Sequence, residues 1–306
     1  MIIIKDIVIL LVSIIVIGKG AVWLVDAAAR VAKHFGISEL VIGLTVVAFG
    51  TSAPEFGVTI LAAIRGMGDI SVGNIVGSNI FNLGFILGGT AIIHSLKTSR
   101  TVVFRDGIFL LFGGILLSVF LWDLTLSKIE GIVLFTLLVL YLLYLYFKKE
   151  TIETEEPTHA MYRWDPILLF VGIGLVIVGS HFLVESAVNI ARFMGVSDWV
   201  IGATIIAAGT SAPEFATSLT AAMKSRYGMS VGNLIGSDIF NLFGVLGVAG
   251  MMRNLSVGHD AHINLIILSF MIAVVLIFMR TGWVVSRKEG IILVMIGLLR
   301  WIYSFS

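Results

Sequence analysis

The hexapeptide Gly-Thr-Ser-Ala-Pro-Glu occurs twice in this sequence, at residues 50–55 and again at residues 209–214. Each copy lies within a long apolar stretch, so Glu55 and Glu214 both stand where a membrane-spanning helix is expected. A charge at the centre of a bilayer costs roughly 2.5–3.5 kcal/mol on insertion scales, and two unpaired ones would cost about 5–7 kcal/mol. The repetition of so unfavourable a residue predicts that a cation is bound between the two glutamates.

Each copy also contains a proline, which interrupts a helix because it has no N–H to donate. Pro54 and Pro213 each leave the carbonyl four residues earlier without its helical partner. Such carbonyls are tolerated at membrane depth only where protein or a water-filled cavity satisfies them, and a bound cation satisfies them directly. Thr51, Ser52 and Glu55 are spaced so that their oxygens are expected along one side of a helix. A plain proline kink with a capped glutamate is the alternative, which the duplication disfavours.

The composition is that of a membrane protein. Hydrophobic residues make up 58% of the 306 residues and charged residues 13%, against about 45–50% and 25% in a soluble domain. We therefore predict an all-α integral membrane protein, and spans of about 20 residues fit into it ten times. The first apolar run has no clear small-residue cleavage site, so we interpret it as a membrane helix rather than a signal peptide. The predicted spans are 7–33, 38–63, 71–94, 106–121, 128–147, 166–193, 197–223, 230–252, 262–279 and 289–303.

Several classes of function are disfavoured by what the sequence lacks. It has no cysteine, which excludes disulfides and thiolate metal sites, and its net charge of +1 gives no indication of nucleic-acid binding. Neither a His-Glu-x-x-His nor a Gly-x-Ser-x-Gly motif occurs, so an intramembrane enzyme is not expected. We expect a lipid bilayer around the chain, no cofactor, no obligatory protein partner and a monomer.

The second half of the chain repeats the first at a constant offset of 159 residues, the separation of Glu55 and Glu214. Under this offset Asp26 corresponds to Glu185 and Asn79 to Asp238. Five spans separate equivalent points, and because five is odd the two halves are predicted to be inverted in the membrane, as in many secondary transporters. The predicted domains are a first half at 1–147, a polar linker at 148–165 and an inverted second half at 166–306.

The distribution of lysine and arginine predicts the orientation of the chain. The side that contains the linker carries about thirteen of these residues and the other side about six. The richer side is expected to be cytoplasmic, so both termini are predicted to be extracellular in the cell membrane.

All candidate ligands in the repeated segments are oxygens. They are the two glutamates, the hydroxyls of Thr51, Ser52, Ser78, Thr210, Ser211 and Ser237, the amides of Asn82 and Asn241, and carbonyls near Ala48 and Ala207. Oxygen ligands suit hard cations, and calcium takes six to eight of them in irregular geometry, which suits this set better than the octahedral demand of magnesium. Several sodium ions could use the same oxygens, and competition for one site couples two opposed ion fluxes.

Two pairs of segments resemble the α-repeats of the sodium/calcium exchanger family, within the calcium/cation antiporter superfamily. They are the Gly-Thr-Ser-Ala-Pro-Glu pair and the Gly-Asn-x-x-Gly-Ser-x-x-x-Asn pair at 73–82 and 232–241. The resemblance covers nearly the whole chain. It implies ten transmembrane helices in two inverted five-helix repeats, with broken helices 2, 3, 7 and 8 around a midplane site. It also implies exchange of calcium against about three sodium ions by alternating access, as the long spans 1 and 6 slide across the core.

The same resemblance implies roles for individual residues. Glu55 and Glu214 would hold calcium together with the backbone carbonyls of Thr51 and Thr210. Sodium would be held by two equivalent groups, Ala48, Ser52 and Ser78 in one half and Ala207, Ser211 and Ser237 in the other. Asn82 and Asn241 would line the middle of the site.

Some features qualify the resemblance. The potassium-dependent branch of the family has aspartate at the position of Asn241, so asparagine argues against potassium co-transport. Proton-coupled relatives carry an acid just after Gly-Asn, where this chain has Ile75 and Leu234; calcium/proton exchange by the same glutamates is therefore the disfavoured alternative, and a passive cation channel is another. Whether Asp238 contacts an ion is left open by the sequence, as is the role of Asp26.

Overall fold

The computed structural model describes residues 2–148, 160–196, 201, 205 and 207–303, and the described chain is helical apart from four strands of two residues. The helices are α1 (Ile2–Phe35), α2 (Glu39–Thr51), α3 (Ala53–Ile64), α4 (Gly68–Ile93), α5 (Val102–Asp123), α6 (Lys128–Phe147), α7 (Asp165–Phe193), α8 (Ala207–Thr210), α9 (Ala212–Met223), α10 (Tyr227–Met252), α11 (Asp260–Arg280) and α12 (Arg287–Tyr303). The strands are β1 (Leu96–Lys97), β2 (Thr125–Leu126), β3 (Leu255–Ser256) and β4 (Val284–Val285).

Within the described residues, seven helices are long and apolar enough to cross a membrane, or eight if α2 and α3 form one span. The all-helical membrane architecture predicted from composition is thereby confirmed. The predicted count of ten stays a prediction. Span 7 was predicted at 197–223, and residues 197–200, 202–204 and 206 of it lie outside the described residues. Helix α12 has 17 residues, fewer than the ~20 of a typical span.

The chain bends by 51° between α2 and α3. Ser52 stands at the bend with ψ of 9°, and Pro54 follows in the first turn of α3, where a residue needs no N–H donor and a fixed φ favours the helix. Ser211 precedes α9 with the same ψ of 9°, and a proline again occupies the first turn. Each proline thus begins a helix just after the interruption.

Four of the predicted spans begin three or more residues after the helices do. Helix α1 begins at Ile2 rather than at residue 7, and helix α10 at Tyr227 rather than at residue 230. Helix α4 begins at Gly68 rather than at residue 71. Helix α5 begins at Val102 rather than at residue 106, because the charges of Arg105 and Asp106 are paired instead of ending the helix. Arg105 Nε donates to Asp106 Oδ1 at 2.5 Å, and the hydroxyl of Tyr141 donates to the same oxygen at 2.8 Å.

Helices α4 and α10 form the centre of the molecule. In their most apolar windows 72% and 83% of the residues are buried, against 28% for α1, α6 and α7. Much of the outer surface of α1 is apolar, including Leu11 and Ile15, as expected of a helix in contact with lipid. The repeated motifs that lie on α4 and α10 are therefore placed in the interior.

The short strands connect the two halves of the sequence. Strand β1 pairs antiparallel with β4, and β2 pairs antiparallel with β3. The offset of 159 residues carries β1 onto β3 and β2 onto β4, so the two pairings are equivalent. Each pairing ties a loop of the first half to a loop of the second.

Candidate functional site

Glu55 and Glu214 lie in the first turns of α3 and α9, and both are completely buried. Each is held by the serine of the other repeat. The hydroxyl of Ser52 donates to Glu214 Oε1 at 3.0 Å, and the hydroxyl of Ser211 donates to Glu55 Oε1 at 3.1 Å. The two glutamates also interact electrostatically. The structure therefore brings the two hexapeptides together face to face.

This arrangement differs from the sequence prediction, which placed Thr51, Ser52 and Glu55 along one side of their own helix. Because the chain bends at Ser52, its hydroxyl is directed across to the second half. The Thr51 hydroxyl points the same way: Oγ1 lies 3.1 Å from Asn233 Oδ1 and 3.4 Å from Ser237 Oγ. The oxygens cluster between the two halves.

A pair of asparagines fixes the two short helices that carry the glutamates. Asn74 on α4 donates to Thr59 Oγ1 at 3.0 Å and to the carbonyl of Glu55 at 3.4 Å. Asn233 on α10 donates to Ser218 Oγ at 2.9 Å and to the carbonyl of Glu214 at 3.4 Å. Asn74 was not among the predicted ligands. Its role in the structure is to fasten α3 to α4.

A second group of buried polar side chains lies at the centres of α4 and α10, and its one acid, Asp238, interacts electrostatically with Glu214. Asn82 Nδ2 donates to Asp238 Oδ1, and Asn241 Nδ2 donates to Asn79 Oδ1, both at 2.9 Å. All four residues are completely buried. Asp238 was absent from the predicted ligand set. It is the only acid besides the two glutamates in the repeated segments, and this feature of the sequence could have identified it.

Five buried side-chain oxygens in this cluster have no hydrogen-bond partner among the described residues. They are Glu55 Oε2, Glu214 Oε2, Asn82 Oδ1, Asn241 Oδ1 and Asp238 Oδ2. Buried acceptors without partners are rare and unfavourable, so five in one cluster mark a place suited to a cation. The described residues contain no group of three or more acidic, histidine or cysteine side chains close enough to hold a metal, so amide and hydroxyl oxygens have to supply part of any coordination.

The remaining predicted ligands are Ala48, Ser78, Thr210 and Ala207, and the structure gives them less support. The carbonyl of Ala48 accepts the backbone N–H of Ser52 at 3.0 Å and the hydroxyl of Thr51 at 3.3 Å, so it is not the free acceptor that we expected. Ser78 is buried on α4. Thr210 interacts with the Glu55 carboxylate, and Ala207 begins helix α8.

Comparison with known proteins identifies the fold and the family. The family model for the sodium/calcium exchanger protein matches residues 5–147 and 164–301. This chain belongs to the sodium/calcium exchanger family. The resemblance found in the repeated motifs is confirmed.

Individual members of the family match along nearly their whole length. The sodium/calcium exchanger MaX1 of Methanosarcina acetivorans is 32% identical, and the match covers 94% of this chain and 95% of that protein. The inner membrane protein YrbG of Escherichia coli is 33% identical, with 92% and 90% covered. A solved structure of the sodium-calcium exchanger NCX_Mj superimposes with a TM-score of 0.88 at 31% identity and covers 99% of this chain and 100% of that one. This exchanger-family chain is therefore a membrane protein.

Proposed function

We propose that this chain is an antiporter that exchanges calcium for sodium across the cell membrane at one shared site between α3, α4, α9 and α10. The observation that carries the proposal is the buried cluster of oxygens without partners around Glu55 and Glu214. The names of the exchangers MaX1 and NCX_Mj support the same two ions. Two carboxylates match the charge of one calcium ion, and the neighbouring amides and hydroxyls bring the donors toward the six to eight that calcium takes.

The proposed ligands follow the predicted set. Glu55 and Glu214 hold calcium, with the carbonyls of Thr51 and Thr210 beside them, and sodium uses the two equivalent groups in competition. The groups are Ala48, Ser52 and Ser78, and Ala207, Ser211 and Ser237, with Asn82 and Asn241 in the middle. Among these the alanines have the least support, because the carbonyl of Ala48 already accepts two hydrogen bonds.

Alternating access in a pair of inverted repeats is part of the proposal. It is supported by contacts that recur at the 159-residue offset: Ser52 with Glu214 and Ser211 with Glu55, Asn74 with Thr59 and Asn233 with Ser218, and Asn82 with Asp238 and Asn241 with Asn79. A site built from equivalent pieces of two halves can be exposed in turn by equivalent movements. We propose ten spans, broken helices at the site, both termini extracellular, and a chain that transports as a monomer.

Radioactive calcium uptake into proteoliposomes tests this function. An outwardly directed sodium gradient should drive uptake, a potassium gradient should not, and potassium should not be required. Glu55→Ala and Glu214→Ala should each abolish uptake, because each variant removes one of the two charges that balance calcium. Retained uptake in both variants would overturn the site.

The same assay separates the alternatives. Uptake driven by a proton gradient and insensitive to sodium would indicate calcium/proton exchange. Flux that does not saturate with calcium would indicate a channel. Ile75, where proton-coupled relatives carry an acid, is completely buried among apolar residues, which disfavours the proton-coupled reading.

A further inference from the structure

Asp238 lies in the central cluster without a role in the predicted ligand set. Its side chain is completely buried, Oδ1 accepts from Asn82, and Oδ2 has no hydrogen-bond partner among the described residues. It interacts electrostatically with Glu214. Among the described residues, the side chains that hydrogen-bond to the three acids are serine, threonine and asparagine. None of these partners is basic.

The internal symmetry isolates what Asp238 contributes. Asn79 occupies the equivalent position in the first half and accepts from Asn241 at 2.9 Å, the same distance at which Asp238 accepts from Asn82. An amide oxygen is therefore sufficient to hold the asparagine in place. What distinguishes Asp238 from Asn79 is its carboxyl group, which carries a negative charge when ionised.

We propose that Asp238 is the residue that favours sodium over calcium at the site. It adds a third carboxylate to the buried cluster, although the three acids are not grouped closely enough among the described residues to hold one metal ion together. Three sodium ions balance three charges, whereas one calcium ion leaves one charge unbalanced in a buried place, where an uncompensated charge is unfavourable. This inference rests on the proposed exchange function and assigns the ion preference within it.

Asp238→Asn tests the inference because asparagine can still accept the hydrogen bond from Asn82 while the charge is lost. Calcium uptake is measured in proteoliposomes that contain calcium, with increasing sodium outside as a competitor. Two concentrations are compared: the sodium concentration for half-inhibition and the calcium concentration for half-maximal calcium/calcium exchange. The ratio of the first to the second should rise about tenfold or more. An unchanged ratio, or a variant that takes up no calcium in either mode, would overturn the assignment.

The double variant D238N/N79D is the matched control. It returns the charge at the symmetry-equivalent position beside Asn241, so sodium competition should recover toward that of the wild type; no recovery would contradict a role for charge alone. If the wild type itself does not take up calcium in exchange for sodium, the exchange function is rejected. That outcome is distinct from a failure of this inference, which concerns only the sodium competition of the variants.

A second inference comes from the helices outside the site. Helices α1 and α7 are tied at both ends by equivalent contacts. Arg30 donates to both oxygens of Asp165 at 2.9 and 2.7 Å, and Asn189 donates to Asp6 at 3.1 Å. Between these ends the backbones touch, because a Cβ added at Gly172 would lie 2.8 Å from the backbone nitrogen of α1 residue Leu24. The two helices therefore form one rigid pair.

The contacts of this pair with the core are asymmetric. On α1, Asp26 pairs with Lys224 at the end of α9, with Nζ and Oδ1 2.6 Å apart. The offset of 159 residues converts this pair into Glu185 on α7 and Arg65 at the end of α3, which carry the same charges. These two are exposed and do not pair in the described structure, where Glu185 meets only His181 at 3.9 Å. Helix α1 packs along α9, whereas α7 and α3 do not pack closely within the described residues.

We infer that Asp26–Lys224 and Glu185–Arg65 are two ion-pair latches that close alternately as the α1–α7 pair moves across the core. In this structure the latch at Lys224, on the side predicted to be cytoplasmic, is closed, and the latch at Arg65 is open. Each latch consists of one acidic and one basic residue at equivalent positions of the repeat. Helices α7 and α3, which would carry the second latch, do not pack closely in this structure.

Cross-linking of cysteine pairs tests the latches, since the chain has no cysteine of its own. The double variants D26C/K224C and R65C/E185C are treated in proteoliposomes with a bifunctional methanethiosulfonate reagent, whose spacer replaces the reach of the long basic side chain that a direct disulfide lacks. The four single-cysteine variants are the controls. Each double variant should cross-link and lose calcium/calcium exchange, and a reductant should restore it. A quadruple variant should form either cross-link but not both in one molecule. Formation of both together, or failure of R65C/E185C to cross-link under every ion condition in which D26C/K224C does, would overturn the inference.

Discussion

At the scale of single residues, the site depends on hydrogen bonds that run from one half of the chain to the other. The sequence identified both glutamates, both serines and both asparagines, because each occurs in duplicate within an apolar stretch. It could not show that Ser52 binds Glu214 rather than Glu55, since helical spacing describes neighbours on one helix and says nothing of the opposite repeat. Asp238 was left open rather than placed in the ligand set, and its counterpart, Asn79, is neutral.

The crossed hydrogen bonds predict equal effects from equivalent substitutions. Ser52→Ala and Ser211→Ala each remove one donor to a buried carboxylate, a contact worth about 1.5–3 kcal/mol. Each variant should therefore lower the apparent calcium affinity by about 10–100-fold, as measured by the calcium dependence of uptake. Ser118→Ala is a suitable control, because among the described residues the Ser118 hydroxyl donates to the carbonyl of Gly114 within its own helix and to no other group. A large effect from one serine and none from the other would contradict the crossed arrangement.

At the scale of helices, the sequence predicted interruptions better than ends. A proline within a helical pattern predicts an interruption from its own chemistry, because it has no N–H to donate. The chain does bend at Ser52, before Pro54. The start of α5 was missed because Arg105 and Asp106 look like a polar boundary until their pairing with each other and with Tyr141 is seen. Tyr141 is 35 residues away from Asp106 in the sequence, and the composition around Asp106 does not reveal so distant a partner.

At the scale of the whole molecule, the repeat offset predicts more membrane spans than the described helices show. Seven or eight described helices are long enough to span a membrane, whereas two five-span halves require ten spans and opposite orientations. The equivalent strand pairings and the equivalent hydrogen bonds across the centre support this symmetry, because unrelated halves would not repeat their contacts at one fixed offset.

The topology can be tested directly by labelling. Ten spans place both termini on one side of the membrane, and five spans per half place the linker on the other. Single cysteines at Lys5→Cys and Ser304→Cys should react with a membrane-impermeant maleimide added to intact cells. A cysteine at Thr154→Cys should react only after the membrane is opened, with the cysteine-free wild type as the blank. Labelling of the two termini from opposite sides would require an odd number of spans, and the inverted five-span halves would then be wrong.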